Sequence, residues 1–260
     1  MTIVAVPGWT TRRAMALIER NFMLYRRSIT PLLNALVEPI LYLLSIGVGV
    51  GLLVGTVPGV DVPYAVYVAP AILATTAMNT AFNQTSFGVF TRMKIEKTYD
   101  AILPTPLSVT DIAVGEVTSA MINALLTSIG FLTLMAVGGL VTSAWVLLAL
   151  PASVLISYAF AAGGLAVTTY LRDFPDFQYI QLFMLPMYLF ATTFYPLSVY
   201  PEAVQPLIRA LPLYHSIELV REPALGHLSW DLLIPACYLV AFGSIAMYIA
   251  VRRMTWAMLR

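Results

Sequence analysis

Long apolar runs alternate with short polar segments along the chain, and the runs define six candidate membrane spans. A helix needs about 20 apolar residues to cross a bilayer. Backbone polar groups cannot be left bare in lipid, so each span is predicted to be helical. The predicted spans are residues 32–55, 64–90, 111–139, 144–171, 177–198 and 231–251.

The composition agrees with this pattern. Hydrophobic residues make up 60% of the 260 residues and charged residues 10%, whereas a soluble domain carries about 25% charged residues. The sequence therefore predicts an all-α polytopic membrane protein in which residues 1–260 form a single transmembrane domain.

The basic residues predict the orientation, because Lys and Arg are enriched in cytoplasmic loops. Twelve of the 14 lie before the first predicted span, in alternate loops and after the last span, and the other side holds only Arg209 and Arg221. Both termini are therefore predicted to be cytoplasmic. The first group contains Arg12, Arg13, Arg20, Arg26 and Arg27.

Residues 10–30 are predicted to form a helix on the membrane surface. At 100° per residue, Ala14, Ile18 and Phe22 fall on one face and Arg13 and Arg20 on the opposite face. Such a helix can bury its apolar face at the headgroup boundary while its arginines contact anionic lipid. The alternative is a basic flank that only sets topology.

A polar island between the second and third spans predicts a short cytoplasmic helix at residues 92–103. Pro104 and Pro106 end it, since proline lacks an N–H and its ring clashes with the preceding turn. Ser108 and Asp111 then have the spacing of a capping box that restarts a helix. This layout favours a mechanical coupling element, called the lever below, in which a soluble partner pushes on the helix at residues 92–103. The alternative is an ordinary polar loop.

Several polar residues fall inside predicted spans. A carboxylate in the membrane is a functional candidate by default, and Glu38 and Glu116 both qualify, although Glu38 can also lie near the interface and pair with an arginine. A polar stripe recurs at helical spacing in span two. It predicts either a polar route or hydrogen bonding between helices. The stripe consists of Thr76, Asn79, Thr80 and Asn83.

The outer segment before the last span is too apolar for a free loop and too broken for a span. Two short helices are predicted, at residues 201–211 and 214–222. Short, broken helices are tolerated at membrane depth only when they are buried in protein or line a cavity. His215, Glu218 and Arg221 lie close to one face and predict a local charge network, either structural or near an exit.

Several function classes lack their signatures. The chain has no Walker-type lysine loop, no zinc-ligand spacing and only two histidines, so hydrolysis of ATP by that route and intramembrane proteolysis are not expected. Catalytic residues, a bound metal and nucleic-acid binding are not expected either.

Five motifs in order resemble the membrane subunits of type-2 ABC exporters, the nodulation-factor and daunorubicin-resistance permeases most nearly and the O-antigen polysaccharide permeases more distantly. They are Glu38-Pro39, Thr98-Tyr-Asp-Ala-Ile-Leu-Pro-Thr-Pro-Leu-Ser108, Asp111-Ile-Ala-Val-Gly-Glu116, Phe194-Tyr-Pro-Leu-Ser198 and Leu211-Pro-Leu-Tyr-His-Ser-Ile-Glu-Leu-Val-Arg221.

The resemblance implies a permease of the bacterial inner membrane that exports an amphiphilic cargo, such as a drug, lipid, lipo-oligosaccharide or glycan. It implies two copies of a separate ATPase that bind ATP and Mg²⁺, and a second permease chain, identical or related. The implied ATPase-coupling residues are Lys94, Glu96, Lys97, Thr98, Tyr99, Asp100, Ile102 and Leu103. The implied outer re-entrant helices span residues 201–222, with Tyr195, Pro212, His215, Glu218 and Arg221 as gate candidates.

Two other hypotheses remain open from the sequence. One is a proton-coupled secondary carrier that uses Glu38 or Glu116 and needs no ATPase. The other is a membrane scaffold that transports nothing. Transport without ATP would indicate the carrier, and ATPase activity that does not depend on cargo would indicate the scaffold.

Overall fold

The structure, a computed structural model, describes residues 30–57, 60, 62–99 and 108–258, and the regular elements in those ranges are all helices. Within these ranges, proline, caps and short linkers separate eight main helical segments, with short 3₁₀ turns between some of them. The segments are α1 (Thr30–Tyr42, continued by Leu43–Val50 and Gly51–Val54), α2 (Tyr64–Ile95), α3 (Val109–Val137), α4 (Ala149–Thr168), α5 (Phe177–Phe190), α6 (Gln205–Arg209), α7 (Pro212–Ala224) and α8 (Leu233–Met258).

Within the described part of the chain, five helices are long and apolar enough to cross a membrane, rather than the predicted six. They include α1, α2, α3, α8 and α4 with its leading 3₁₀ turn Ala144–Leu148. The predicted span 177–198 is shorter than expected, because α5 ends at Phe190 after 14 residues. At about 1.5 Å per residue it is roughly 21 Å long, against a hydrocarbon core of about 30 Å.

The early end of α5 has a local cause. Thr192 adopts a φ of 62°, a left-handed conformation that is unfavourable for a β-branched residue and incompatible with a continuing helix. Pro196 then holds the chain extended, since the residue before a proline avoids helical geometry. The segment between them is a series of bends.

The bundle packs around α4, which contacts α8, α2 and α3 along its length. Small residues allow the close approach. A Cβ placed on Gly164 would lie 2.5 Å from Oγ1 of Thr85 in α2, and one on Gly243 of α8 would lie 3.0 Å from Cα of Ala159. Backbones of membrane helices approach this closely only at such small residues.

The predicted lever differs from the structure at its start. Residues 91–95 do not begin a separate helix but continue α2 as a π-helical turn, Thr91–Ile95. The break comes at Glu96 and Lys97, where Lys97 has a φ of 49°, and helical geometry resumes at Thr98 and Tyr99. The surface helix predicted for residues 10–30, with Arg12, Arg13, Arg20, Arg26 and Arg27, and the lever residues Asp100, Ile102 and Leu103 lie outside the described residues.

The outer segment also corrects the predicted boundaries. The first short helix is only α6, Gln205–Arg209. The second begins at Pro212 rather than at residue 214 and runs past Pro223 to Ala224. Backbone N–H groups in the first turn of a helix have no partner within the helix, so proline, which lacks an N–H, is well tolerated there. This explains why α7 starts at Pro212.

Candidate functional site

The first candidate site is a buried cluster around Glu116 at the predicted cytoplasmic end of the bundle. The Glu116 side chain is fully buried in α3. Its Oε2 accepts a hydrogen bond from Nη2 of Arg92 at 2.7 Å, and its Oε1 accepts one from the hydroxyl of Tyr99 at 2.9 Å. One carboxylate therefore joins α3 to the end of α2 and to the segment beyond the break. We call these three residues the Glu116 cluster.

Local structure fixes each member of the Glu116 cluster. The side chain of Ser108 accepts from the N–H of Asp111, and Asp111 accepts from the N–H of Ser108, which is the predicted capping box at the start of α3. This cap sets where α3 begins, and so places Glu116 less than two turns inside it. Tyr99 is 1% exposed, and burial together with the nearby Glu116 carboxylate raises the pKa of its hydroxyl far above the ordinary value. The hydroxyl therefore stays protonated and keeps donating to Glu116.

The other described lever residues face outward. Lys94, Glu96 and Lys97 are exposed, and the hydroxyl of Thr98 donates to Oε2 of Glu96 at 3.2 Å. The structure therefore divides the predicted coupling residues into an exposed set and one buried anchor, Tyr99. Glu116, which the sequence marked as a candidate for the translocation path, holds this anchor in the structure.

The second candidate site is a groove of about 260 Å³ between α1, α2 and α5. It brings together residues from two predicted spans that the sequence treated separately, and adds Tyr42 and Tyr188, whose ring centroids lie 5.8 Å apart. We call this the polar groove. Its predicted members are Glu38, Thr76, Asn79, Thr80 and Asn83.

The polar groove presents amide, carboxylate and hydroxyl groups. The hydroxyl of Thr76 donates to the carbonyl of Ile72 at 2.7 Å in its own helix, so it is already satisfied. Glu38 and Asn83 are exposed side chains, and Pro39 next to Glu38 is buried. The groove can therefore contact a polar group with Glu38, Asn79 and Asn83 while apolar surface surrounds it.

The third candidate site centres on Arg221 in α7, which is 5% exposed. Its Nη1 donates to the hydroxyl of Tyr67 at 2.9 Å, and its guanidinium lies 3.9 Å from the centroid of the same ring. Its Nη2 donates to the carbonyl of Thr192 at 2.8 Å and to that of Thr193 at 3.3 Å. Arg221 thus joins α7 to the start of α2 and to the broken end of α5.

Of the predicted charge network, Glu218 and Arg221 interact electrostatically, whereas Arg221 directs its hydrogen bonds to Tyr67 and backbone carbonyls. His215 stacks on Tyr238 of α8 with ring centroids 4.0 Å apart, while Glu218 bonds Tyr214 one turn away. Of the other gate candidates, Pro212 begins α7 and Tyr195 is exposed in the bends after α5.

Sequence reasoning missed Tyr67, Thr192 and Tyr188, and treated Arg92 only as a basic flank. An aromatic or threonine residue in an apolar run gives no signal by itself. The available signal was Arg221, since a lone arginine in an apolar segment requires partners elsewhere. Which partners it finds depends on helix packing.

Comparison with known proteins decides the family. The profile of the ABC-2 type transporter membrane family matches residues 12–225, which is most of the chain. The chain belongs to this family. The match confirms the resemblance drawn from the five motifs.

Individual relatives match between 80% and 92% of the chain. The chain is 35% identical over 209 residues to Nodulation protein J of Sinorhizobium fredii (strain NBRC 101917 / NGR234), covering 80% of the chain and 79% of that protein. It is 34% identical over 228 residues to Nodulation protein J of Rhizobium leguminosarum bv. trifolii, covering 87% and 86%. Nodulation protein J of Rhizobium meliloti (strain 1021) is 31% identical over 246 residues and 92% of each chain.

Membership of the ABC-2 family makes the chain an integral membrane subunit of an ABC transporter, a non-catalytic component. The apolar helices of the fold agree with that placement.

Proposed function

We propose that this chain is the permease subunit of an ATP-driven exporter of the bacterial inner membrane. Two copies of a separate ABC ATPase bind ATP and Mg²⁺, and a second permease chain, identical or related, completes the pathway. Cargo moves out of the cytoplasm or the inner leaflet. The Glu116 cluster is the observation that carries this proposal, since it ties the segment exposed to a soluble partner to two long helices.

The linkage proposed here runs through single side chains. The exposed residues Lys94, Glu96 and Lys97 are available to a partner on the polar side of the break, and Tyr99 is held inside by Glu116. Movement of the segment by the ATPase then displaces Tyr99, and Glu116 carries that displacement to α3. Asp100, Ile102 and Leu103 complete the contact surface in this proposal. Packed helices respond by switching between discrete arrangements rather than by bending continuously.

The proposed cargo is an amphiphile with an amide- or hydroxyl-rich head, of which a lipo-oligosaccharide is an example. The polar groove supports this, because Asn79 and Asn83 can exchange hydrogen bonds with a neutral head while the surrounding surface is apolar. The relatives are named as nodulation proteins, which favours cargo of that biological class. A groove of about 260 Å³ is smaller than most ligand sites, so a second permease is proposed to supply the opposite wall.

Co-purification tests the proposal. The tagged permease is extracted in mild detergent with proteins expressed from its own genome, and bound proteins are identified by mass spectrometry. A stoichiometric P-loop ATPase is expected. It should be lost when Lys94, Glu96 and Lys97 are all replaced by serine, and retained when the exposed residues Ser229 and Asp231 on the opposite predicted side are replaced by alanine.

Reconstitution separates the proposal from the two alternatives. In proteoliposomes, export should require ATP and resist ionophores. Transport by the permease alone that collapses with ionophores would instead establish a proton-coupled carrier. ATPase activity that is insensitive to every cargo tested, with no transport, would establish a scaffold.

A further inference from the structure

An apolar cavity of about 610 Å³ separates α5 from α2, α4 and α8. The volume lies within the range of about 300–1,000 Å³ that small-molecule sites occupy. It is distinct from the polar groove, which lies on the other side of α5 along α1. Its apolar wall includes Phe82, Phe160, Gly163, Phe183, Met184 and Phe242.

The cavity is one leaflet deep. It begins at Arg172 and Asp176, just before α5, and ends at Met187 and Pro212. From Asp176 to Met187 the chain advances eleven residues, or about 16 Å at roughly 1.5 Å per residue. Half of a hydrocarbon core of about 30 Å is close to that length. A single acyl chain inserted from one membrane surface would therefore fill it.

The charged groups lie at one end only. The Arg172 side chain is exposed. The backbone N–H of Arg172 donates to Oδ2 of Asp176 at 2.7 Å. That bond and a second one from the N–H of Asp173 lower the pKa of the Asp176 carboxyl, so this group is anionic at neutral pH. The mouth thus carries a cation and an anion side by side, and the neighbouring Asp173 is also exposed.

A second arginine, Arg253, packs against Tyr170 of the cavity lining. The guanidinium of Arg253 lies 3.5 Å from the ring centroid of Tyr170, which lines the cavity. Cation–π contact of this kind holds an arginine in place, and guanidinium groups match the geometry of phosphate oxygens.

We propose that this cavity binds a phospholipid of the adjoining leaflet with an amine-bearing zwitterionic head group. One acyl chain fills the space behind α5, the phosphate lies against Arg172, and the ammonium lies against Asp176. The mixed charge favours a zwitterionic head group over a purely anionic one, because Asp176 can pair with the ammonium and the neighbouring Asp173 repels additional negative charge. Filling the cavity also restores the dispersion contacts that an empty apolar wall lacks.

The lipid would position α5, the wall shared by the cavity and the polar groove. Tyr188 of α5 lines the groove on one side, while Met184 and Met187 line the cavity on the other. Occupation of the cavity therefore sets how closely α5 approaches α1. The inference needs only that the chain is a membrane protein, and it stands independently of the proposed ATPase and cargo.

Photolabelling tests the site. Delipidated protein is mixed with detergent micelles that contain phosphatidylethanolamine with a diazirine near the end of one acyl chain, and labelled peptides are mapped by mass spectrometry. Label is expected on α4 and α5 facing the cavity. Gly163→Leu places a side chain in the cavity, where a Cβ already lies 3.7 Å from Phe242, and should lower labelling about tenfold.

The matched control is Gly49→Leu, since Gly49 is an exposed glycine of α1 outside the cavity, and there a Cβ meets only the Leu44 carbonyl at 3.9 Å. It should label like the unchanged protein. Both variants are compared for monodispersity and thermal unfolding, so that misfolding is recognised. Arg172→Gln is a second variant that spares the packing, and should weaken labelling by reducing phosphate binding.

Several results would overturn the inference. Equal labelling in Gly163→Leu, or label confined to α1, would remove the site. Equal labelling by phosphatidylglycerol and phosphatidylethanolamine would overturn the head-group assignment. Displacement of the label by an acylated oligosaccharide would assign the cavity to cargo, and a disulfide between two chains carrying Met184→Cys would assign it to a second copy.

Discussion

The hydroxyl of Tyr99 donates to the Glu116 carboxylate at 2.9 Å, and both side chains are almost completely shielded from solvent. Tyr99 follows the break at the end of α2, and Glu116 lies in α3. In the proposed coupling, a force on the segment that carries Tyr99 acts on this buried atom pair. Arg92 shares the same carboxylate, which extends the linkage to α2.

Tyr99→Phe should uncouple ATP hydrolysis from transport. The change removes one oxygen and leaves Oε1 of Glu116 without this donor, at a cost of about 1–3 kcal/mol in stability, while the ring still fills its site. We expect hydrolysis by the assembled complex to continue and cargo export in proteoliposomes to fall. Tyr248→Phe on the exposed face of α8 is the control, and normal export by Tyr99→Phe would refute the coupling role.

Glu116→Ala should be more damaging than replacement of both members of its ion pair. It leaves the Arg92 guanidinium, whose side chain is 20% exposed, without this carboxylate, and we expect a loss of about 1–3 kcal/mol, below the range for fully buried pairs. The double variant Arg92→Met, Glu116→Met should recover part of that loss. Thermal unfolding of both proteins in the same detergent measures the difference, and equal destabilisation would contradict a paired charge.

Arg221→Lys should loosen the outer end of the bundle although the charge is kept. Lysine cannot reproduce the planar set of donors that reaches Tyr67 and the carbonyls of Thr192 and Thr193. We expect a lower unfolding temperature and faster labelling of a cysteine introduced at Thr193, which is buried. Arg209→Lys, at an exposed arginine of α6, should change neither quantity, and the inference fails if the two variants behave alike.

Asn79→Leu combined with Asn83→Leu should reduce cargo export while leaving assembly with the ATPase intact. The change replaces two amides of the polar groove by apolar groups of similar size, so a polar head would lose its hydrogen bonds and pay the desolvation cost. Export rate and ATPase co-purification are measured together. Gln178→Leu, an exposed amide of α5 outside the groove, is the control. A drop in ATPase binding would indicate a folding defect instead.

The polar groove shows how much of a site can be predicted from sequence patterns. Glu38 and the stripe from Thr76 to Asn83 were each recognisable as polar residues in apolar helices, because such residues are costly in a membrane and need an explanation. Their meeting in one groove depends on α1 and α2 packing side by side, which no periodicity within either helix encodes. Tyr188 joins them only because α5 ends close by.

Glu116 shows a different case, in which the structure supplies partners that the sequence did not indicate. The sequence marked it as a carboxylate within a span and placed it on the cargo route. Its partners Tyr99 and Arg92 lie 17 and 24 positions earlier in the chain, and Arg92 lies on the far side of the break at Lys97. The left-handed conformation of Lys97 turns the chain back onto α3, and nothing in the local sequence required it.

The sequence by itself determined the class of protein, most of the helices and the family. Exposing backbone polar groups and charges to lipid is costly, so membrane helices appear in the sequence as long apolar runs, and the order of five motifs indicated the family. The tertiary structure decided where α5 ends, which residues surround Glu116 and Arg221, and that a cavity separates α5 from α4. These features depend on which side chains meet across helices, and a buried charge takes its partners from whatever the packing brings within hydrogen-bond distance.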